Sequence, residues 1–163
     1  MTEEVSASLA SAPGEVRAAT SLVGGLRLPA DKSVAHRALL FNAMAHGEAE
    51  VTMPRPGEDV LSMAGVLRTL GAVSTIEDLP GGLTRVHVRG GGAKTAAMLP
   101  GDGGESLDCG NAGTAMRLLV GALSGRPASA TLVGDASLSS RPMERVASPL
   151  RSIGARTVSY THL

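Results

Sequence analysis

The segment VLRTLGA at residues 66–72 ends one predicted helix, and PLRSIGA at residues 149–155 ends another. In both segments an arginine-containing helical end runs into a glycine, the residue that most readily terminates a helix. The first helices of the two halves start at Ser33 and Ala112, roughly 80 residues apart, close to the spacing of the endings. Self-similarity at a fixed spacing predicts a two-helix, several-strand unit that occurs twice.

Hydrophobic periodicity and capping residues divide the rest of the chain into an α/β pattern. Helices are predicted at residues 33–46, 58–70, 112–123 and 142–153, with Ser33 as an N-cap and Pro142 at a first turn. Strands are predicted at residues 26–28, 50–53, 73–76, 83–88 and 130–133, and a loop at residues 90–92. We interpret residues 1–20 as a flexible tail and residues 21–163 as one domain, with units at about 25–90 and 105–163.

Composition narrows the class of protein. Hydrophobic residues make up 43% of the chain, and Phe41 and Tyr160 are its two aromatic residues, which predicts an aliphatic core. Fifteen basic and fifteen acidic residues argue against nucleic-acid binding, and the single cysteine, Cys109, excludes an internal disulfide. Cys109 is interpreted as a packed residue. With no signal core and no apolar run of about 20 residues, a cytoplasmic protein without membrane contact is expected.

The segment LPADKSVAHRALL, residues 28–40, carries the first candidate site. It places Lys32 and the Ser33 hydroxyl at a predicted helix start, where free backbone N–H groups attract anions. Arg37 follows one turn later on the same face and offers a bidentate donor. The alternative is a capped helix with two solvated cations. His36 is expected to be a surface or capping residue and is assigned no role.

The segment CGNAGTAMRLL, residues 109–119, also predicts an anion site at a helix start. Gly113 lets the backbone approach a ligand closely, Asn111 and Thr114 offer polar side chains, and Arg117 lies one turn further on. The alternative is an ordinary glycine-bounded helix start.

The segment GDASLSSRPMERV, residues 134–146, contributes Arg141. It precedes Pro142 at a predicted helix start, where a cation opposes the helix dipole, so we expect the guanidinium to face a bound anion. The alternative is a surface salt bridge to Asp135 or Glu144.

In this order and spacing, the three segments resemble the signature stretches of 5-enolpyruvylshikimate-3-phosphate synthases, over about residues 26–155. The resemblance implies an enolpyruvyl transferase-like fold, an inside-out repeat of two-helix, four-strand units. About two units of one domain would be present in this chain. It also implies transfer of the enolpyruvyl group of phosphoenolpyruvate to the 5-hydroxyl of shikimate 3-phosphate, without cofactor or metal, by a full-length monomer.

The same resemblance assigns roles to particular residues. It implies that shikimate 3-phosphate is bound by Lys32, Ser33 and Arg37. Phosphoenolpyruvate would be bound by Lys32, which is also the catalytic residue in this chain, and by Gly113 and Arg141. Supporting roles fall to Asn111, Thr114 and Arg117.

The family's acid–base carboxylates have no counterpart in this chain, so the chain alone is expected to be inactive. Two positions depart from the pattern: Ala30 replaces a usual glycine, and Leu118 stands where many members have proline. Two alternatives stay open. One is a UDP-N-acetylglucosamine enolpyruvyl transferase, which has a lysine-asparagine pair in place of Lys32 and Ser33. The other is a non-catalytic remnant that binds sugar phosphates.

Overall fold

The structure, a computed structural model, describes residues 21, 23–25, 28–92, 106–126 and 129–159. Its elements are α1 (Lys32–Met44), β1 (His46–Pro54), α2 (Glu58–Thr69), β2 (Val73–Leu79), β3 (Leu83–Gly91), β4 (Ser106–Asp108), α3 (Gly113–Ser124), β5 (Thr131–Val133), α4 (Ala136–Ser139) and α5 (Glu144–Ser152). All four predicted helices are present, with ends within two residues of the prediction.

Two predictions fall on residues that the structure does not describe. The predicted tail at residues 1–20 lies wholly outside the described ranges, as do two residues of the predicted strand at 26–28. The third residue of that strand, Leu28, is described and is not in a strand. The division of the chain into two units stays a prediction.

The first half of the chain forms a three-stranded antiparallel sheet in the order β1-β3-β2. Side chains alternate along β3, so that Val86 and Val88 are buried while the intervening His87 lies on the outer face opposite Glu50. Helices α1 and α2 pack on each other and on the sheet. Burial on one face of the sheet therefore fixes the register of its strands.

The predicted loop at residues 90–92 is wrong for its first two residues. Gly90 and Gly91 continue β3 and pair with Gly47 and His46 of β1. A side chain at Gly90 would collide with carbonyl oxygens at the end of α1, so the glycine permits a close helix–sheet approach rather than a turn.

The second half is built on two short parallel strands, β4 and β5, which are connected through α3. Helix α3 packs against α2 and α5. Pro142 was predicted to begin the last helix, and this prediction is wrong. Both Val146 and Ala147 donate their backbone N–H groups to the carbonyl of Met143, so α5 begins at Glu144. Pro149 lies inside α5 at an exposed position.

The core is aliphatic, as the composition predicted. Six of its largest fully buried apolar side chains come from α1, α2, α3, the strand β4 and the short helix α4, and they are Leu39, Met63, Leu67, Leu107, Leu119 and Leu138. The aromatic ring of Phe41 is exposed on α1. Within the described ranges, no helix combines the length and apolar character that crossing a membrane requires.

Candidate functional site

Helix α1 begins one residue earlier than predicted because Asp31 caps it. The Asp31 carboxylate accepts the backbone N–H of Val34 at 2.8 Å, which makes Asp31 the N-cap instead of Ser33. Lys32 and Ser33 are therefore the first two helical residues, and both are exposed. The N-cap hydrogen bond therefore does not involve the Ser33 hydroxyl.

The cationic side chains at this helix start have partners within the protein. The Lys32 ammonium lies 2.5 Å from the carboxylate of Asp59, in the first turn of α2. Arg37 donates from Nη1 to the carbonyl oxygen of Ser33 at 2.9 Å. The predicted trio of Lys32, Ser33 and Arg37 is thus gathered at one helix end.

Asp59 is a site neighbour that sequence reasoning missed. A carboxylate in the first turn of α2 already suits the helix dipole, and the partner of Asp59 lies 27 residues away in the chain. The Lys32 side chain is 56% exposed, so the ion pair itself adds only about 0–1 kcal/mol to stability. The contact holds the Lys32 ammonium beside the first turn of α2.

His36 was expected from the sequence to be a surface or capping residue. This expectation is wrong, because the residue is fully buried. The buried face of α1 contains Ala35, Leu39, Leu40 and Ala43, and helical spacing places His36 on that face. Its Nδ1 lies 2.5 Å from the carbonyl oxygen of Lys32. Its Nε2 is buried and has no hydrogen-bond partner among the described residues.

The second and third segments meet at Gly113, the buried first residue of α3. A Cβ at this position would lie 2.8 Å from Nη1 of Arg117 and 3.0 Å from Nη1 of Arg141. Arg117 also donates to the Gly113 carbonyl oxygen at 3.2 Å. Two guanidinium groups therefore approach the backbone where Gly113 has no side chain. Thr114 follows at a half-buried position.

Arg141 is held by neutral groups. It donates from Nη2 to the side-chain oxygen of Asn111 and to the hydroxyl of Ser137, the latter at 3.3 Å. Asn111 in turn donates to Asp135 at 2.8 Å. The alternative of a salt bridge to Asp135 or Glu144 is wrong, because Asp135 is reached only through Asn111 and Glu144 pairs with Arg151.

Arg141 was predicted to stand at a helix start, but it does not. The residue follows the end of α4, whose C-cap is Ser140, and stands three residues before α5 begins. A cation is favoured at the end of a helix, so its position alone does not require an anion. The approach to Gly113 and the two neutral partners are what make this guanidinium a candidate ligand for an anion.

Helix α2 connects the segments. Asp59 contacts Lys32, and Ser62, one turn further on the same face, lies against Gly110, with Oγ 3.0 Å from where a Cβ of that glycine would stand. Gly110 directly precedes Asn111, the partner of Arg141. All three predicted segments thus border, directly or through Asn111, the first half of α2.

Cys109 is a packed residue, as predicted. It is fully buried, and burial together with the nearby Asp108 carboxylate raises the pKa of its thiol to about 12. A thiol held neutral in this way is a poor nucleophile at pH 7.

The shifted thiol makes stability depend on alkaline pH. The unfolded thiol ionises near pH 9.0 and the folded one near pH 12, so between these values the folded chain holds more protons. The Cys109 contribution is complete below pH 9 and is lost as the pH rises toward 12. Urea unfolding at pH 8, 9.5 and 10.5 is expected to show a steeper loss of stability in the wild type than in Cys109→Ala. Equal slopes would contradict the assignment.

Comparison with known proteins shows the family of this chain. Residues 16–162 match the family model of EPSP synthase (3-phosphoshikimate 1-carboxyvinyltransferase). The chain belongs to the EPSP synthase family. A 3-phosphoshikimate 1-carboxyvinyltransferase of Afipia carboxidovorans is 46% identical over 144 residues, 88% of this chain, and one of Herpetosiphon aurantiacus is 45% identical over 138 residues, 85% of this chain.

A solved EPSP synthase from Acinetobacter baumannii superimposes with a TM-score of 0.67 at 44% identity over 82% of this chain. The predicted fold, part of an enolpyruvyl transferase-like α/β architecture, is thereby confirmed. The chain spans about 30% of the length of the curated EPSP synthases that it matches, and 28% of the solved one. The individual site residues stay predictions.

Proposed function

We propose that the protein carrying this chain transfers the enolpyruvyl group of phosphoenolpyruvate to the 5-hydroxyl of shikimate 3-phosphate and releases phosphate. The approach of the Arg117 and Arg141 guanidinium groups to the bare backbone of Gly113 is the observation that carries the proposal. In a member of the EPSP synthase family, cations beside a helix start are suited to hold a small, highly charged anion.

Shikimate 3-phosphate is assigned to the first turn of α1. Lys32 and Ser33 present an ammonium and a hydroxyl at a helix N-terminus, and Arg37 can turn its guanidinium from the Ser33 carbonyl to a phosphate. The free N–H groups of the turn add a favourable dipole. A bound phosphate would share the Lys32 ammonium with Asp59 or replace that carboxylate.

Phosphoenolpyruvate is assigned to Gly113, Arg141 and Lys32. Asn111 and Ser137 hold the Arg141 guanidinium, so binding costs it little side-chain freedom. Asn111 acts by holding Arg141. Thr114 and Arg117 line the same helix start, in keeping with the secondary roles assigned to all three residues.

The proposed chemistry depends on positioning and charge. Both substrates are anions, and fixed cations reduce the repulsion between them while aligning the 5-hydroxyl with the carbon of phosphoenolpyruvate that carries the phosphate, which leaves. Lys32 is assigned to both ligands, so its ammonium would stand beside the reacting groups and serve as the catalytic residue of this chain. No carboxylate of the chain is assigned the proton transfer. A cytoplasmic location and a monomeric state belong to the same proposal, and gel filtration tests the latter.

Titration of the ¹⁵N-labelled chain tests the assignment of the substrate. Shikimate 3-phosphate is expected to shift the backbone amides of the first α1 turn, whereas UDP-N-acetylglucosamine is expected to leave them unchanged. Lys32→Met should weaken shikimate 3-phosphate binding about tenfold, the effect of one charge-assisted hydrogen bond. Arg68→Met, which removes an exposed cation from the last turn of α2, is the matched control.

The same titration separates the alternatives. A preference for the nucleotide sugar would overturn the proposal in favour of the UDP-N-acetylglucosamine enzyme. Equal losses in Lys32→Met and Arg68→Met would indicate nonspecific attraction of anions. An assay of phosphate release by the protein that carries this chain, with both substrates present, then separates a catalytic protein from a remnant that only binds sugar phosphates.

A further inference from the structure

The first turn of α1 is held by two side chains from the turn that follows it. The Nδ1 of His36 lies 2.5 Å from the carbonyl oxygen of Lys32, and Arg37 donates to the carbonyl oxygen of Ser33 at 2.9 Å. His36 approaches from the buried face of the helix and Arg37 from the exposed face. The His36 ring therefore fixes the carbonyl of Lys32, and the Arg37 guanidinium fixes the carbonyl of Ser33. Lys32 and Ser33 are also the residues whose side chains are assigned to the anion.

The chemistry of the His36 contact fixes the position of a ring proton. A carbonyl oxygen can only accept a hydrogen bond, so the proton must be on Nδ1. In the helix the same oxygen also accepts the backbone N–H of His36, and the ring adds a second donor to it. The ring is fully buried, and its Nε2 has no partner in the described part of the chain. A buried polar atom left without a partner is costly, and such an exception requires an explanation.

The two contacts differ in how they respond to a ligand. Under the proposed function Arg37 turns toward a phosphate and releases the carbonyl of Ser33. His36 is fully buried and therefore out of reach of an anion at the exposed face of the helix, so its hold on Lys32 persists under the same proposal. It is then the side chain that still fixes the first turn while the anion is bound.

We propose that His36 is a positioning residue, which through Nδ1–H fixes the carbonyl of Lys32 and so directs the Lys32 and Ser33 side chains toward the anion. The role in ligand binding rests on the proposed function, whereas the hold on the helix start does not. The cost of the unpartnered Nε2 is explained if the ring is retained for its other nitrogen.

Three substitutions separate this role from simple packing. His36→Asn retains an N–H donor near the position of Nδ1, since the side-chain amide of asparagine is at the same distance from the backbone. His36→Gln has the same polar group, but one bond further out, and His36→Leu fills similar space without a donor. Leu39→Val, on the same buried face of α1, controls for a general loss of core packing.

The first readout needs no ligand. Long-range ¹⁵N–¹H NMR of the wild type is expected to show a protonated Nδ1 on His36. Hydrogen exchange of the amides at residues 35–37 should be about fivefold faster in His36→Leu and His36→Gln, the loss of one hydrogen bond, and near wild type in His36→Asn. Leu39→Val should increase the rate of amide hydrogen exchange throughout α1, with no larger effect in the first turn than elsewhere in the helix. An Nδ1 without a proton, or equal exchange in the leucine and asparagine variants, would overturn the proposal.

The second readout is affinity for shikimate 3-phosphate. We expect a loss of about fivefold in His36→Leu and recovery to within about twofold in His36→Asn, with Leu39→Val unchanged. Wild-type affinity in His36→Leu would overturn the positioning role. If the wild type binds no shikimate 3-phosphate while the exchange pattern holds, the proposed function fails for this chain, and the hold of His36 on the helix start stands.

Discussion

Gly90→Ala is expected to lower the free energy of unfolding by about 3 kcal/mol, because the new methyl group has no space. Its Cβ would lie far inside van der Waals distance of the carbonyl oxygens of Asn42 and Ala45. These are backbone atoms at the end of α1, so relief requires movement of the helix away from β3. The Ala45 carbonyl also accepts the N–H of Gly92 at 2.9 Å, and that bond would be strained as well.

Urea unfolding followed by far-UV circular dichroism measures the effect of this substitution. Gly65→Ala is the matched control, since it adds the same methyl group at an exposed position of α2 where no described atom outside the neighbouring backbone of the helix lies within 4 Å. The control should be neutral or stabilising by up to about 1 kcal/mol, because alanine is the better helix former. A Gly90→Ala variant as stable as the control would show that α1 does not approach β3 this closely.

Periodicity and terminator residues were enough to predict the long elements. Apolar residues at helical spacing predicted α2 at residues 58–70, and the structure ends it at Thr69, just before Gly71 with its φ of 75°. Alternation of apolar and polar residues predicted β3, whose Val86 and Val88 are buried. The aliphatic core followed from composition. These features are local, so one segment of sequence contains the whole signal.

The missed features depend on contacts between distant segments or on very short elements. Helix α4, with four residues, and β4, with three, are too short to show a period. Gly90 resembled a loop residue, although its partner atoms belong to α1. Asp59 gave no sign that its partner would be Lys32. Sequence can predict a residue's own helix, but not which side chain stands opposite it.

The candidate site shows the same division. The helix starts that hold Lys32, Ser33 and Gly113 were predicted, because glycine and polar residues mark a helix start directly. Arg141 was selected because it was expected at a helix start, whereas it follows α4, a helix too short to be predicted. Its role in binding an anion stays a prediction. His36 was assigned no role because its burial depends on which face of α1 packs against the sheet, and the sequence did not show this face.

Gly113→Ala is expected to weaken phosphoenolpyruvate binding about thirtyfold, by about 2 kcal/mol, while the fold is retained. The added Cβ would lie 2.8 Å and 3.0 Å from the guanidinium nitrogens of Arg117 and Arg141, and 3.4 Å from a methyl group of Leu138. These are ends of flexible side chains, so they can move where a backbone could not. Arg141 would then leave Asn111 and lose its alignment for an anion.

Two comparisons make this prediction specific. Gly121→Ala adds a methyl group to the same helix where no described atom outside the neighbouring backbone of the helix lies within 4 Å, so it should leave binding unchanged. Both variants should unfold within about 1 kcal/mol of the wild type, since alanine favours a helix over glycine. Affinity for shikimate 3-phosphate, assigned to the first turn of α1, should change less than about twofold in either variant. Calorimetric titration measures each affinity. Equal losses for both ligands would mean that Gly113 supports the whole site, and unchanged phosphoenolpyruvate affinity would mean that the anion is not held beside Arg141.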